Sequence, residues 1–151
     1  MLKHTEPPDF GALMSLLANK HTLIEEMRAL TREMQAALEG EEFDRLDPLL
    51  AARQLRMGEL DAINPSIDLG YLAARPTMSE DGLRLFVAQD ATAARLMHAL
   101  FEEDKRLSGR MREVLAGLKH DVAGIGVQRR GLASYGETQR IPGGTLLDDK
   151  K

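Results

Sequence analysis

The spacing of apolar residues between positions 79 and 135 constrains this chain more than any other sequence feature. They recur there at intervals of three and four, which places their side chains on one face of a long α-helix. Asp90 and Asp104 lie on the same face. Lys20 and Thr31 interrupt the outer columns of the first helix's apolar face, and Arg53 occupies one position of the second helix's apolar spacing. These patterns predict interaction surfaces with polar interruptions. The apolar residues of the long face are Phe86, Ala93, Met97, Leu100, Leu107, Met111, Val114 and Leu118.

The end of this long helix is predicted to be weakly held. Val122 and Ile125 continue the apolar face only with a shift in the repeat, and glycine becomes frequent from Gly117 onward. Each glycine in a helix interior costs about 1 kcal/mol relative to alanine. We therefore predict that residues 124–151 are mobile in the free protein and order or move aside when a partner binds.

Two shorter helices are predicted before the long one. The first begins near Asp9 and ends before Gly40, and the second begins at Asp47. Their short connection predicts an antiparallel hairpin. We predict that the second helix ends at Asn64, because the residue before a proline avoids the helical conformation. Residues 64–78 would then form a long irregular connection.

The predicted fold class is all-α. An antiparallel helical hairpin and one long C-terminal helix would form a three- to four-helix bundle. The predicted organisation is a flexible lead over residues 1–9, a helical bundle domain over residues 10–135 and a flexible tail over residues 136–151. A break in the long helix near residues 89–91 is an open alternative.

Composition and charge exclude several classes of function. The 151 residues are 43% hydrophobic and only 4% aromatic, the net charge is -4, and there is no cysteine. Basic residues are scattered, so we predict no nucleic-acid partner. The absence of cysteine excludes disulfides and suits a reducing compartment. We expect no signal peptide and no membrane span, and we predict a cytoplasmic protein.

Motifs for catalysis and for metal or nucleotide binding are missing. None of the four histidines has a glutamate three residues before it, as a di-iron site in a helical bundle requires. No glycine-rich loop follows a predicted strand. We therefore predict no catalytic residues, no metal, no cofactor and no enzymatic activity. An all-helical enzyme with a small-anion pocket remains an alternative, and its arginines would come from Arg28, Arg45, Arg53, Arg95, Arg106 and Arg112.

The remaining class of function is protein binding. The chain has eight methionines, and methionine-rich helix faces adapt to irregular partner surfaces. Wide apolar faces on three helices also leave more apolar surface than a small bundle covers. The predicted partner-binding residues are Leu107, Met111, Val114, Leu118, Val122, Ile125 and Tyr135.

Several segments resemble flagellar type III export chaperones of the FliT and FlgN kind, and FliT-like members more closely. The similarity to the central hairpin of that family lies in residues 42–46, 49–54 and 60–63. The shared pattern is an acidic turn, then a pair of leucines, then a basic residue followed by glutamine. Residues 100–135 are similar to its last long helix, which closes on a tyrosine, and residues 144–151 resemble the chain end of some members.

The resemblance implies a cytoplasmic chaperone. It would bind the terminal helix of an export substrate, a filament-cap or hook–filament junction protein, and prevent premature assembly. It also implies contacts with the export gate or the export ATPase. A self-assembling coiled-coil adaptor is the alternative from another class, and a homodimer is compatible with both.

Overall fold

The computed structural model describes residues 8–128, and side chains for residues 9–124. Within that range the chain forms three α-helices, α1 (Pro8–Glu39), α2 (Leu46–Ala74) and α3 (Glu80–Gln128), and no strand. Short 3-10 turns over Phe43–Arg45 and Arg75–Thr77 precede α2 and follow it. The predicted all-α fold is confirmed. The predicted lead and tail, and residues 129–135 of the predicted bundle domain, lie almost entirely outside the described residues.

The chain divides into two compact units within α3. The first unit ends at Leu107 and the second begins at Ser108. We call them the bundle unit and the C-terminal unit. The bundle unit contains α1, α2 and the first part of α3, whereas the described part of the C-terminal unit is helix throughout.

A Schellman turn ends α1 and starts the hairpin. The N–H of Glu42 donates to the carbonyl of Ala37 at 2.8 Å, and the N–H of Glu41 donates to that of Leu38 at 3.1 Å. The left-handed residue is Glu41, with φ 55°, and not Gly40. The predicted end of α1 before Gly40 is therefore confirmed, although glycine does not supply the left-handed conformation.

The core of the bundle unit follows a seven-residue repeat. In α2, Arg53, Leu60, Ile67 and Ala74 are buried, and in α3 the buried repeat is Phe86, Ala93, Leu100 and Leu107. A strict repeat of seven is the pattern of coiled-coil packing. The largest fully buried side chains all come from α1, and they are Leu13, Leu17, Ile24, Met27, Thr31 and Met34.

The prediction that α2 ends at Asn64 is wrong. The helix continues through Pro65 to Ala74, and the predicted irregular connection shrinks to a 3-10 turn and two further residues. Pro65 lies on the exposed side of α2, and its missing N–H leaves the carbonyl of Asp61, also an exposed residue, without its helical hydrogen bond. Burial of Ile67 and Ala74 on the opposite side keeps the segment helical, so tertiary packing outweighs the local preference.

Ser79 starts α3 as the sequence predicts. Its Oγ accepts the N–H of Gly82 at 2.9 Å, the geometry of an N-cap. The helix then continues without a break through residues 89–91, so that alternative is wrong. Close packing explains the glycine at 82, because an added Cβ would lie 3.2 Å from Phe10 Cε1 and 3.2 Å from Met78 Cγ.

Candidate partner-binding site

The predicted partner-binding residues do not share one environment. Leu107 is 2% exposed and belongs to the core of the bundle unit. Met111, Val114 and Val122 are half-buried, and Leu118 is 43% exposed. The side chain of Ile125 and all of Tyr135 lie outside the described residues.

The C-terminal unit presents one apolar stripe along its helix. We call Met111, Val114, Leu118 and Val122 the C-terminal stripe. Charged residues, among them exposed Arg112, Glu113 and Lys119, separate its members. A helix with one apolar stripe and a charged remainder stabilises itself by burying that stripe against another helix. The stripe is therefore the part of the described C-terminal unit that is best suited to packing against another helix.

Three glycines face open space on this part of α3. A Cβ added at Gly109, Gly117 or Gly124 would meet no atom within 4 Å. Their effect is therefore a loss of helix propensity, about 1 kcal/mol each relative to alanine. The segment that carries the C-terminal stripe is helical although its sequence weakens the helix.

A polar layer crosses the bundle unit and joins all three helices. Arg53 Nε donates to Thr31 Oγ1 at 3.0 Å, and Arg53 Nη2 donates to Asp104 Oδ1 at 2.6 Å. Thr31 Oγ1 in turn donates to the carbonyl of Met27 at 2.8 Å. One polar interruption from each of the three helices therefore belongs to this layer. A single polar layer of this kind fixes the register of packed helices.

A second ion pair fixes α3 against α1. Arg28 Nε and Nη2 donate to the two carboxylate oxygens of Glu103 at 3.2 and 3.0 Å. This hydrogen bonding lowers the pKa of Glu103 and raises the pKa of Arg28, because both charged forms are stabilised. Arg28 and Arg53 are therefore engaged with carboxylates, which removes them from the anion pocket considered in the enzymatic alternative.

The side of α2 opposite the core is apolar and exposed. Leu55, Leu69 and Leu72 are 61%, 68% and 68% exposed. They share a three-four spacing with three further exposed residues that carry no charge. We call the whole set the outer α2 face, and it consists of Leu55, Gly58, Ala62, Pro65, Leu69 and Leu72.

The sequence predictions missed the outer α2 face. The predicted helix end at Asn64 divided it into two unrelated pieces. Its signal is an unbroken run of uncharged residues at helical spacing, which becomes visible once Pro65 is allowed inside a helix.

Two features bear on small-molecule binding, the clustering of metal-ligand side chains and a groove on the surface. Residues 9–124 contain no group of three or more His, Asp or Glu side chains that could hold a metal ion. The groove between α1 and α2 has a volume of about 460 Å³ and is open to solvent. Its lining residues are Asn19, Thr22, Leu23, Glu26, Glu59, Ala62 and Ile63. Such an open groove suits a side chain of a docked helix better than an enclosed ligand.

Among the helices described here, none combines the length and the apolar character needed to cross a bilayer.

Comparisons with family models, with curated proteins and with solved structures found no match to this chain.

Proposed function

We propose that this protein is a cytoplasmic chaperone of flagellar type III export. It binds the terminal helical segment of an export substrate, a filament-cap or hook–filament junction protein, through the C-terminal stripe. The observation that carries the proposal is the stripe itself, with Leu118 exposed and Met111, Val114 and Val122 half-exposed on one helix. The resemblance of residues 42–63 and 100–135 to the FliT-like pattern supports the same function.

Binding of this kind requires the burial of apolar surface and no catalytic reaction. Subunits that assemble through coiled-coil packing have terminal segments that are unstructured alone and helical when packed. An apolar stripe on a chaperone covers such a segment and blocks its assembly. Burial stabilises the complex by about 25 cal/mol per Å² of apolar surface. The free-energy cost of ordering the bound segment must be subtracted from this gain. We accordingly propose that the chain acts without a catalytic residue, a metal or a cofactor.

The proposal is tested by recovering the partner from the native cell. The wild-type protein should co-purify with an axial flagellar subunit, identified by mass spectrometry. The paired substitution Met111→Glu and Leu118→Glu should abolish recovery, because it places two carboxylates in the apolar contact.

A matched control uses the opposite side of the same helix. Ala116→Glu with Ala123→Glu adds the same charge at two exposed positions away from the stripe. This variant should recover the partner as the wild type does. Equal recovery by both paired variants would refute the stripe as the binding surface, and a non-flagellar partner would refute the chaperone function.

A self-assembling adaptor is the second candidate function, and the outer α2 face favours it. Leucines exposed by more than 60% on one side of a helix are suited to packing against another chain. An adaptor would form long assemblies, whereas a chaperone forms small complexes of defined mass. Light scattering on the purified protein distinguishes the two.

A further inference from the structure

Three arginines of the bundle unit surround one carboxylate, that of Glu103. Arg28 holds both of its oxygens, through Nε at 3.2 Å and Nη2 at 3.0 Å. Arg32 Nη2 lies 3.6 Å from Glu103 Oε2, which is longer than a hydrogen bond. The hydrogen bond from Arg28 does most to lower the pKa of this carboxyl, and the nearby charges of Arg32 and Arg106 lower it further. Because both oxygens are already held, the guanidinium groups of Arg32 and Arg106 keep donors for another acceptor.

The other carboxylates nearby do not supply that acceptor. Glu25 Oε1 lies 3.7 Å from Arg28 Nη1, and this is its one ion pair with the described residues. Arg106 forms no ion pair with any described residue. The acidic residues on either side of Glu103 have partners elsewhere, and these pairs are Glu102 with Lys105 and Asp104 with Arg53. Three arginines therefore share two carboxylates.

The helices that carry these arginines, α1 and α3, run in the same direction. His21 Nε2 lies 2.9 Å from the carbonyl oxygen of Gln89, and further along both helices Arg28 binds Glu103. Contacts that advance together along two helices are those of a parallel pair. Residues that follow Arg28 and Glu103 by similar distances therefore lie at one level of the bundle.

Arg32 and Arg106 lie at nearly the same level. At about 1.5 Å per residue, Arg32 is roughly 6 Å beyond Arg28, and Arg106 is roughly 4.5 Å beyond Glu103. Both side chains are exposed, that of Arg32 by 57%. Two like charges at one level repel each other, and an anion between them is attracted to both. This part of the surface is therefore suited to binding an anion from solvent.

The arrangement of the donors favours a phosphate group as that anion. A carboxylate has two oxygens in one plane and matches one guanidinium fork, as Glu103 does with Arg28. Two forks from separate helices need acceptors in more than one plane. A phosphate group supplies three acceptor oxygens and a charge of about −1.5 to −2 at neutral pH. We propose that Arg32 and Arg106 bind a phosphate group, either the free ion or the phosphate of a small organic molecule.

The test is a titration of the full-length protein with inorganic phosphate, followed by NMR of the arginine side chains. The Nε–H resonances of Arg32 and Arg106 should shift and saturate with a dissociation constant on the order of 1 mM, as charge-assisted hydrogen bonds in an open site can supply. Sodium chloride keeps the ionic strength constant, so that a change in screening causes no shift. Resonances that do not respond, or that never saturate, would overturn the proposal.

Paired substitutions locate the site. Arg32→Gln with Arg106→Gln should weaken phosphate binding about 10-fold or more, measured on the backbone amides of neighbouring residues. Both changes fall on exposed side chains, so the fold is retained. Arg45→Gln with Arg84→Gln removes the same charge from two exposed arginines of the bundle unit and should bind phosphate as the wild type does. Unchanged binding by the first pair, or equal weakening by both pairs, would overturn the proposal.

Two further small molecules distinguish the source of the phosphate. Adenosine monophosphate that binds more tightly than inorganic phosphate would identify an organic phosphate as the ligand, and equal or weaker binding would identify the free ion. Adenosine, which has no phosphate, should not bind, and binding as tight as that of adenosine monophosphate would overturn the proposal. The site does not rest on the proposed function. No measurement uses an export substrate or alters the C-terminal stripe, so its failure leaves the proposed function standing.

Discussion

The bundle unit and the C-terminal unit carry the same apolar repeat and use it differently. In the bundle unit, Leu100 and Leu107 lie in the core at 3% and 2% exposure. In the C-terminal unit, the same helix continues its repeat to Leu118, which is 43% exposed. The repeat in a sequence predicts which residues share a face of a helix. Whether that face is core or a binding surface depends on which other helices are present.

Polar contacts distinguish the two units as well. The bundle unit has a layer of Thr31, Arg53 and Asp104 that joins three helices, and a bidentate pair between Arg28 and Glu103. The described C-terminal unit has no such layer between helices, because it contains only one. The polar layer therefore fixes the register of the helices in the bundle unit. The C-terminal stripe has no such layer, and we expect it to adapt to the surface of a partner.

The largest expected effect comes from truncating one leucine in each unit. Leu100→Ala should lower the free energy of unfolding by about 2–5 kcal/mol, because it opens a cavity in the core. Leu118→Ala should change it by less than about 0.5 kcal/mol, because the side chain is exposed. Urea denaturation measures both. A comparable loss for the two variants would show that Leu118 is core and would remove the distinction between the units.

Breaking the polar layer should have the next largest effect. Arg53→Met leaves Thr31 and Asp104 without their shared donor, and we expect a loss of about 2 kcal/mol in the free energy of unfolding. Arg45→Met is the control, since Arg45 forms only exposed ion pairs with Glu33 and Glu42 and its loss should cost under about 1 kcal/mol. An Arg53 variant as stable as the control would mean that the layer sets register without stabilising the fold.

Acidification should weaken the ion pair between Arg28 and Glu103 in the bundle unit. Because the pKa of Glu103 is lowered in the folded protein, its pairing stabilises the fold above the unfolded-state pKa of about 4.3. This contribution is lost as the pH falls through the folded-state pKa. Unfolding measured between neutral pH and about pH 3 should therefore show a loss below about pH 4 that Glu103→Gln reduces. A Glu103→Gln variant that loses stability below about pH 4 as steeply as the wild type would contradict the assignment.

The smallest effects, and opposite ones, are expected from two glycines. Gly117→Ala should raise helix stability by up to about 1 kcal/mol, because its added Cβ meets nothing within 4 Å. Gly82→Ala should lower stability by roughly 1 kcal/mol, because its Cβ would approach Phe10, Met78 and Ser79 at 3.2 Å. Thermal unfolding of the two variants gives the signs directly. Stabilisation by both would show that the packing around Gly82 relaxes easily.

The sequence predicts the helices well where the repeat and the caps agree. Ser79 and the apolar repeat after it locate α3, and the hairpin follows from the residues around Gly40. Pro65 misled the prediction, because a local rule on proline cannot include the burial of Ile67 and Ala74 that keeps α2 helical.

The partner-binding residues were harder to predict for a related reason. Leu107 and Val114 are equivalent in the seven-residue repeat, yet Leu107 is buried and Val114 is only half-buried. Nothing in their spacing reveals where the bundle unit ends. The outer α2 face was missed because recognising it requires knowing that α2 continues past residue 65. In both cases the missing information is tertiary.

Hydrogen exchange of the full chain, with and without its co-purified substrate, tests the central claim most directly. Amides of residues 111–122 should exchange faster than those of residues 93–107 in the free protein, because they lack a polar layer and contain Gly117. Substrate binding should slow exchange at residues 111–122 and leave residues 93–107 unchanged. Protection of both segments that is equal in the free protein and unaffected by the substrate would contradict the account.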